Sequence, residues 1–216
     1  MGRQRTTIQT SSDVTTGKTI LTLKILLASA ALAVGLTGPQ IPNATEAPEM
    51  PEIQPLPVIP YEASWKCEDC SPEEQYVLEQ LQEHTKISDR NALATIMGNI
   101  KQESKFIPNI CEGGARVSYD ACDRGGYGLI QWTSVNRYNN LGKFCDKYGC
   151  DPSSLEGQTR YMINESVFQR YLPEFEGTGK TIRQYMAAAY YWLGWGIKGP
   201  RQTYAYDYRS KLVWTD

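Results

Sequence analysis

The sequence predicts a mainly α domain with a short β and loop region beside a cleft, and three observations carry that reading. Apolar residues recur at helical spacing in several stretches between residues 88 and 208. No strand pattern runs longer than a few residues, the best being short hairpin arms around Ala115–Tyr119 and Tyr127–Trp132. Glycines cluster at 125–128 and 194–199, where they punctuate the helical stretches. With 216 residues, 41% hydrophobic and 21% charged, the chain suits one globular domain with appendages better than two full domains. Its net charge of -2 provides no basic excess, so no nucleic acid is expected as a partner.

The N-terminal third reads as an address and a spacer. Residues 1–18 form a polar basic segment, with Arg3, Arg5 and Lys18 set against the single Asp13. Residues 19–38 contain the uncharged run ILLASAALAVGL from Ile25 to Leu36. That run has the length of a signal-peptide core, whereas a spanning helix needs roughly twenty apolar residues. Extending it back to Thr19 takes in Lys24, which can snorkel to the interface. No cleavage site follows the run, so a signal-anchor or transmembrane segment is expected, with the basic end cytoplasmic and the remainder outside. A buried Ala-rich helix is the alternative. Residues 39–64 form a Pro-rich linker, since seven of the 12 prolines fall between Pro39 and Pro60. All 14 Tyr, 5 Trp and 4 Phe lie at or beyond Tyr61, which leaves residues 65–216 as the packed domain.

The cysteines fit an exported domain. All six follow the linker, and an even number outside the cytoplasm reads as a disulfide set. Local pairing would join Cys111 to Cys122 and Cys145 to Cys150, leaving Cys67 and Cys70 as a tight third pair. Other connectivities remain open, as does a zinc site built on Cys67-x-x-Cys70. The sole histidine, His84, lies in a polar helical stretch and reads as a surface residue.

Chemistry concentrates between residues 88 and 133. Ser88 can cap a helix over DRNALATIMGNIKQES, with Asp89 in its first turn. At about 100° per residue from Ala92, the residues Leu93, Ile96, Met97 and Ile100 span about 140°, and Glu103 falls at about 20°, inside that arc. A carboxylate there is partly desolvated and near the helix's negative end, and both effects favour the protonated form that a general acid needs. The competing reading is a Glu that reaches water past the last turn. After Pro108 a loop carries Glu112, Asp120 and Asp123, followed by GGYGLIQWT from Gly125 to Thr133. Glycines at 125, 126 and 128 permit close backbone approach. Tyr127 and Gln131 can donate to sugar hydroxyls or acetamides, and Trp132 can stack on a sugar or fill the core.

GNIKQESKFIPN, GGYGLIQWTSVNRYNNL and LEGQTRYMINE together resemble the phage tail lysozyme family, within the lysozyme-like superfamily of goose-type lysozymes and soluble lytic transglycosylases. The resemblance spans roughly Glu74 to Asp216 and is strongest over residues 97–141. It implies a lysozyme-like catalytic domain at 65–216, with Glu103, beside Ser104, as catalytic acid. It further implies that the turn Gly128-Leu129-Ile130-Gln131 lines the substrate cleft. Ser104, Tyr127, Gly128, Gln131 and Trp132 are thus the expected substrate-binding residues, and Asp120, Asp123 and Glu112 the candidates for a second carboxylate. The expected partner is peptidoglycan, cut between N-acetylmuramic acid and N-acetylglucosamine with no cofactor and no metal. Either water attacks, giving hydrolysis, or the muramic 6-hydroxyl does, giving a 1,6-anhydro product. The site of action is a membrane-anchored or exported protein in the host periplasm, or a virion component among other virion proteins.

Downstream, a helix is expected over Leu155–Arg170, after the start signal Asp151-Pro152-Ser153. A second over Thr181–Leu193 carries an aromatic stripe read as core, and a short third holds Tyr204–Tyr208. Two other functional classes stay open: a cell-wall binding module or virion structural protein without catalysis, and a thiol-dependent wall peptidase, for which His84 is the only available histidine.

Overall fold

Ser71 opens the first helix by a capping box: its hydroxyl accepts from the Glu74 backbone N–H while the Glu74 carboxylate accepts from the Ser71 N–H. This helix, α1, spans Pro72–His84. The computed structural model describes residues 63–123 and 125–215, so the segment expected at 19–38 and the linker through residue 62 lie outside the described residues. Among the described residues no helix is long and apolar enough to cross a membrane.

The second helix, α2, spans Arg90–Ser104. Its N-cap is Asp89 and not Ser88, because the Asp89 carboxylate accepts from both Asn91 and Ala92 N–H groups. Every residue from Ala92 to Ile100 is buried, polar Thr95 and Asn99 included. A helix enclosed on all sides is a central element, and α2 touches α1, α5 (Ser166–Glu176), α6 (Ile182–Leu193) and α7 (Arg201–Lys211). A loop with one 3-10 turn at Tyr119–Ala121 leads to α3 (Val135–Tyr148), which sequence periodicity does not reveal because only Leu141 and Cys145 of it are buried.

The single helix expected over Leu155–Arg170 is two. α4 (Leu155–Asn164) stops at Glu165, whose backbone is extended, and α5 restarts at Ser166. The break turns the Glu165 carboxylate onto Arg137 of α3, which grips it through Nε and Nη2 at 2.5 and 2.7 Å, and the Glu165 side chain is only 3% exposed. α6 begins with a second capping box, Thr181 with Gln184, and ends at Gly194 in the left-handed region. The helix around Tyr204–Tyr208 is longer than expected, filling Arg201–Lys211.

Two three-residue strands close the domain. β1 (Ser64–Lys66) pairs antiparallel with β2 (Val213–Thr215), with Ser64 opposite Thr215. The hairpin arms expected around Ala115–Tyr119 and Tyr127–Trp132 do not form strands; single bridges join Ile110 to Arg116 and Cys111 to Tyr127. Disulfides join Cys67–Cys70, Cys111–Cys122 and Cys145–Cys150, the local pairs. With the Cys67 and Cys70 sulfurs bonded to each other, neither is a thiolate for zinc.

Candidate active site

α7 crosses α2 at Gly98. A Cβ there would lie 2.5 Å from the Ala205 backbone nitrogen and 2.9 Å from the Arg201 carbonyl oxygen, so the helices meet backbone to backbone. Arg201, one turn before Ala205, is thereby brought to the end of α2, where its Nη2 donates to Glu103 Oε1 at 2.8 Å. The Glu103 side chain is 15% exposed and that of Arg201 5%. Arg201 also lies over the Trp195 ring, 4.7 Å from its centroid.

Burial pushes the Glu103 carboxyl above its ordinary range. The charge and hydrogen bond of Arg201, and then the charge of Arg137, pull it back without overcoming burial. Burial likewise lowers the Arg201 guanidinium below its ordinary value, against the pull of Glu103. The result is a carboxyl that holds its proton further toward neutrality than a surface Glu does, beside a cation ready to stabilise the anion once the proton has left.

Glu103 and Arg201 open into a cavity of about 600 Å³. Its other walls come from the loop before α3, through Glu112, Gln131 and Thr133, and from the connection between α6 and α7, through Trp195 and Ile197. The loop is held by its own polar groups. Glu112 N–H donates to the Gly126 carbonyl at 2.8 Å, and Gly126 N–H donates to Glu112 Oε2 at 3.1 Å. Gln158, fully buried in α4, accepts from Leu129 N–H and donates to the carbonyls of Pro108 and Pro152, each at 2.7 Å. Gly128, at φ 72°, leaves no space for a side chain, since a Cβ would lie 2.3 Å from Gln158 Oε1.

The structure brings together only part of the set expected from sequence. Glu103, Gln131 and Glu112 share the cavity. Gln131 lines it from the left-handed region at φ 52°, with its Nε2 donating to the carbonyls of Gly128 and Ile110 at 3.0 and 3.3 Å. Four others lie in supporting positions. Ser104 is buried and donates its hydroxyl to Leu129 O at 2.7 Å, tying the end of α2 to the glycine turn. Tyr127 is fully buried and donates to Val117 O, Trp132 packs in the core against Tyr161, and Gly128 serves the Gln158 pin. Asp120 and Asp123 line a separate cavity of about 460 Å³ with Tyr119 and Tyr138, and among the described residues only Thr133 borders both. Sequence reading misses Arg201, Trp195 and Gln158. Arg201 lies almost a hundred residues from Glu103, and its one local signal is its place just after the Gly199-Pro200 pair that starts a helix.

The domain is mainly α, and its central helix delivers a partly buried carboxyl into a cavity beside a glycine turn, as expected of a lysozyme-like fold. The family model for phage tail lysozyme matches residues 73–195, and the chain belongs to that family. Membership indicates a lysozyme-like, peptidoglycan-degrading role. A search of curated proteins finds no match.

Proposed function

We propose that the chain cleaves peptidoglycan between N-acetylmuramic acid and N-acetylglucosamine, with Glu103 as general acid. The observation that carries this reading is the placement of Glu103: desolvated, held by one cation, and lining the cavity of about 600 Å³. Glu103 gives its proton to the glycosidic oxygen as the bond to the anomeric carbon breaks, and positive charge develops at that carbon. Arg201 then stabilises the carboxylate left behind. Of the three candidates for a second carboxylate, Glu112 is the one in the same cavity, and we assign it the orientation of the attacking water. An inverting pair stands about 6.5–9.5 Å apart, leaving room for that water. The thiol-peptidase alternative lacks a nucleophile, because the described cysteines are all in disulfides.

The test is digestion of purified peptidoglycan with mass analysis of the products. Hydrolysis yields reducing muramic ends, and Glu112→Gln should abolish them while leaving the fold intact. A predominance of 1,6-anhydro ends would replace water by the muramic 6-hydroxyl and remove Glu112 from the mechanism. No cut glycan at all would leave the binding-module alternative.

We further propose the organisation 1–18, 19–38, 39–64 and 65–216 as basic segment, membrane anchor, spacer and catalytic domain. At about 3.1 Å per residue in extended polyproline form, the spacer carries the domain tens of ångströms from the bilayer. An alkaline phosphatase fusion after Tyr61 is expected to be active in the periplasm; an inactive one favours a virion component over an anchored enzyme.

A further inference from the structure

The proposed cleavage site does not account for a row of rings that leaves its cavity. Trp195 lines the Glu103 cavity, and Tyr190 stands edge-on to it at a centroid distance of 5.4 Å. Tyr191 follows at 5.3 Å from Tyr190, and Tyr171 of α5 stacks on Tyr191 at 5.8 Å with an interplanar angle of 19°. Tyr171 and Tyr191 then line a second cavity of about 360 Å³. The row is not a leak of core residues: on α6 the core face is Tyr185, Met186, Ala189 and Trp192, whereas Tyr190 and Tyr191 are 47% and 63% exposed. Neighbouring exposed rings are costly to leave in water and mark surfaces that bind something.

Resting on the proposed glycan cleavage, we infer that the row Trp195–Tyr190–Tyr191–Tyr171 is an extended binding site for the glycan strand, carrying sugars beyond the bond cut at Glu103 toward the second cavity. Continuity favours this occupant, since the first ring of the row is already a wall of the cavity where the strand is cut. The chemistry agrees. Tyrosine offers a flat apolar face for the C–H side of a pyranose and a hydroxyl for its rim, and Arg170, Lys180 and Gln184 border the second cavity with donors.

The experiment compares the full chain with Tyr190→Ala, Tyr191→Ala and Tyr191→Phe on two substrates, long glycan strands and a short oligomer that fills only the Glu103 cavity. The alanine variants are expected to raise KM for long strands by about three- to tenfold, the range of a lost ring contact. The kcat, the turnover of the short oligomer and the melting temperature should not move, and Tyr191→Phe, which keeps the ring face and loses only the hydroxyl, should raise KM for long strands less than Tyr191→Ala. Unchanged KM on long strands, or an equal rise on both substrates, overturns the extended site and leaves the row as a surface for another protein. A wild type that cuts neither substrate overturns the proposed function and this inference together.

Discussion

Two carboxylates on the same scaffold, Glu74 buried and Glu103 partly buried, have opposite fates. Glu74, at the junction of α1, α2 and α7, is 5% exposed and surrounded by donors: its own N-cap N–H, the Lys101 ammonium and the Tyr208 hydroxyl at 2.6 Å. Burial alone would push its carboxyl up, but the hydrogen bonds from Lys101, Tyr208 and Ser71 outweigh burial and hold it below the ordinary range. Tyr208 answers by rising, through burial and the same contact. Among the described residues Glu103 is ion-paired with Arg201, and there burial prevails. The balance between desolvation and the hydrogen bonds that oppose it separates a carboxylate that braces helices from one that holds its proton.

The largest expected break in that contrast is chemical. Glu103→Gln keeps an acceptor for Arg201 but has no proton to transfer, so wall cleavage should fall by about 10²- to 10⁴-fold with stability within about 1 kcal/mol of wild type. Retention of more than a tenth of the activity in a turbidity assay would remove Glu103 as the acid. Glu74→Gln should do the reverse, costing about 1–3 kcal/mol in urea unfolding by weakening the bonds to Lys101 and Tyr208 while sparing activity per folded molecule.

Gly98→Ala attacks the geometry that both sites share. A methyl 2.5 Å from the Ala205 backbone cannot be accommodated without moving α7, so a loss of about 1–3 kcal/mol is expected despite the better helix former. Activity should drop with it, because Arg201 moves away from Glu103; unaltered activity and stability would show that the helices can part freely.

The smallest effect sharpens the contrast by sign. Glu74, with its lowered carboxyl, stabilises the fold above the ordinary carboxylate range and loses that contribution as pH falls through its lowered value. Glu103 is raised, so its side chain costs stability as pH climbs from the ordinary range through its raised value. Wild type minus Glu74→Gln should therefore shrink in acid, whereas Glu103→Gln should gain on wild type toward neutral pH. Urea melts across pH measure both slopes, and slopes of the same sign would contradict the assignment.

How far the sequence reveals this depends on the range of the interactions. The partly buried placement of Glu103 is legible because helix periodicity is local, and Ile96, Ile100 and Glu103 fall on one arc by a single geometric rule. The disulfides are legible because each joins near neighbours. Tyr127 and Trp132 were expected at the substrate and lie in the core, since an aromatic beside glycines reads alike whether it faces a ligand or the interior. The break at Glu165 is held by contacts that the local pattern does not show, Arg137 of another helix on the Glu165 carboxylate and the Gln169 side chain on the Ile163 carbonyl. Arg201 lies beyond the residues that the family model matches, and the α2–α7 crossing at Gly98 brings it to Glu103.

The short β1–β2 ribbon sets where the domain can be joined to anything else. Ser64 and Thr215 face each other across one antiparallel pair, about 5 Å apart, with Arg90 donating to the Leu212 carbonyl and covering Trp65 to hold the two strands. The chain thus enters and leaves the fold at a single seam, and a few residues could splice the ends into a circle. Reopened at Thr178, between α5 and α6, such a permutant would keep every described helix intact and retain the Glu103 cleft, while cargo fused after Thr215 would leave from the same spot at which the chain enters at Ser64.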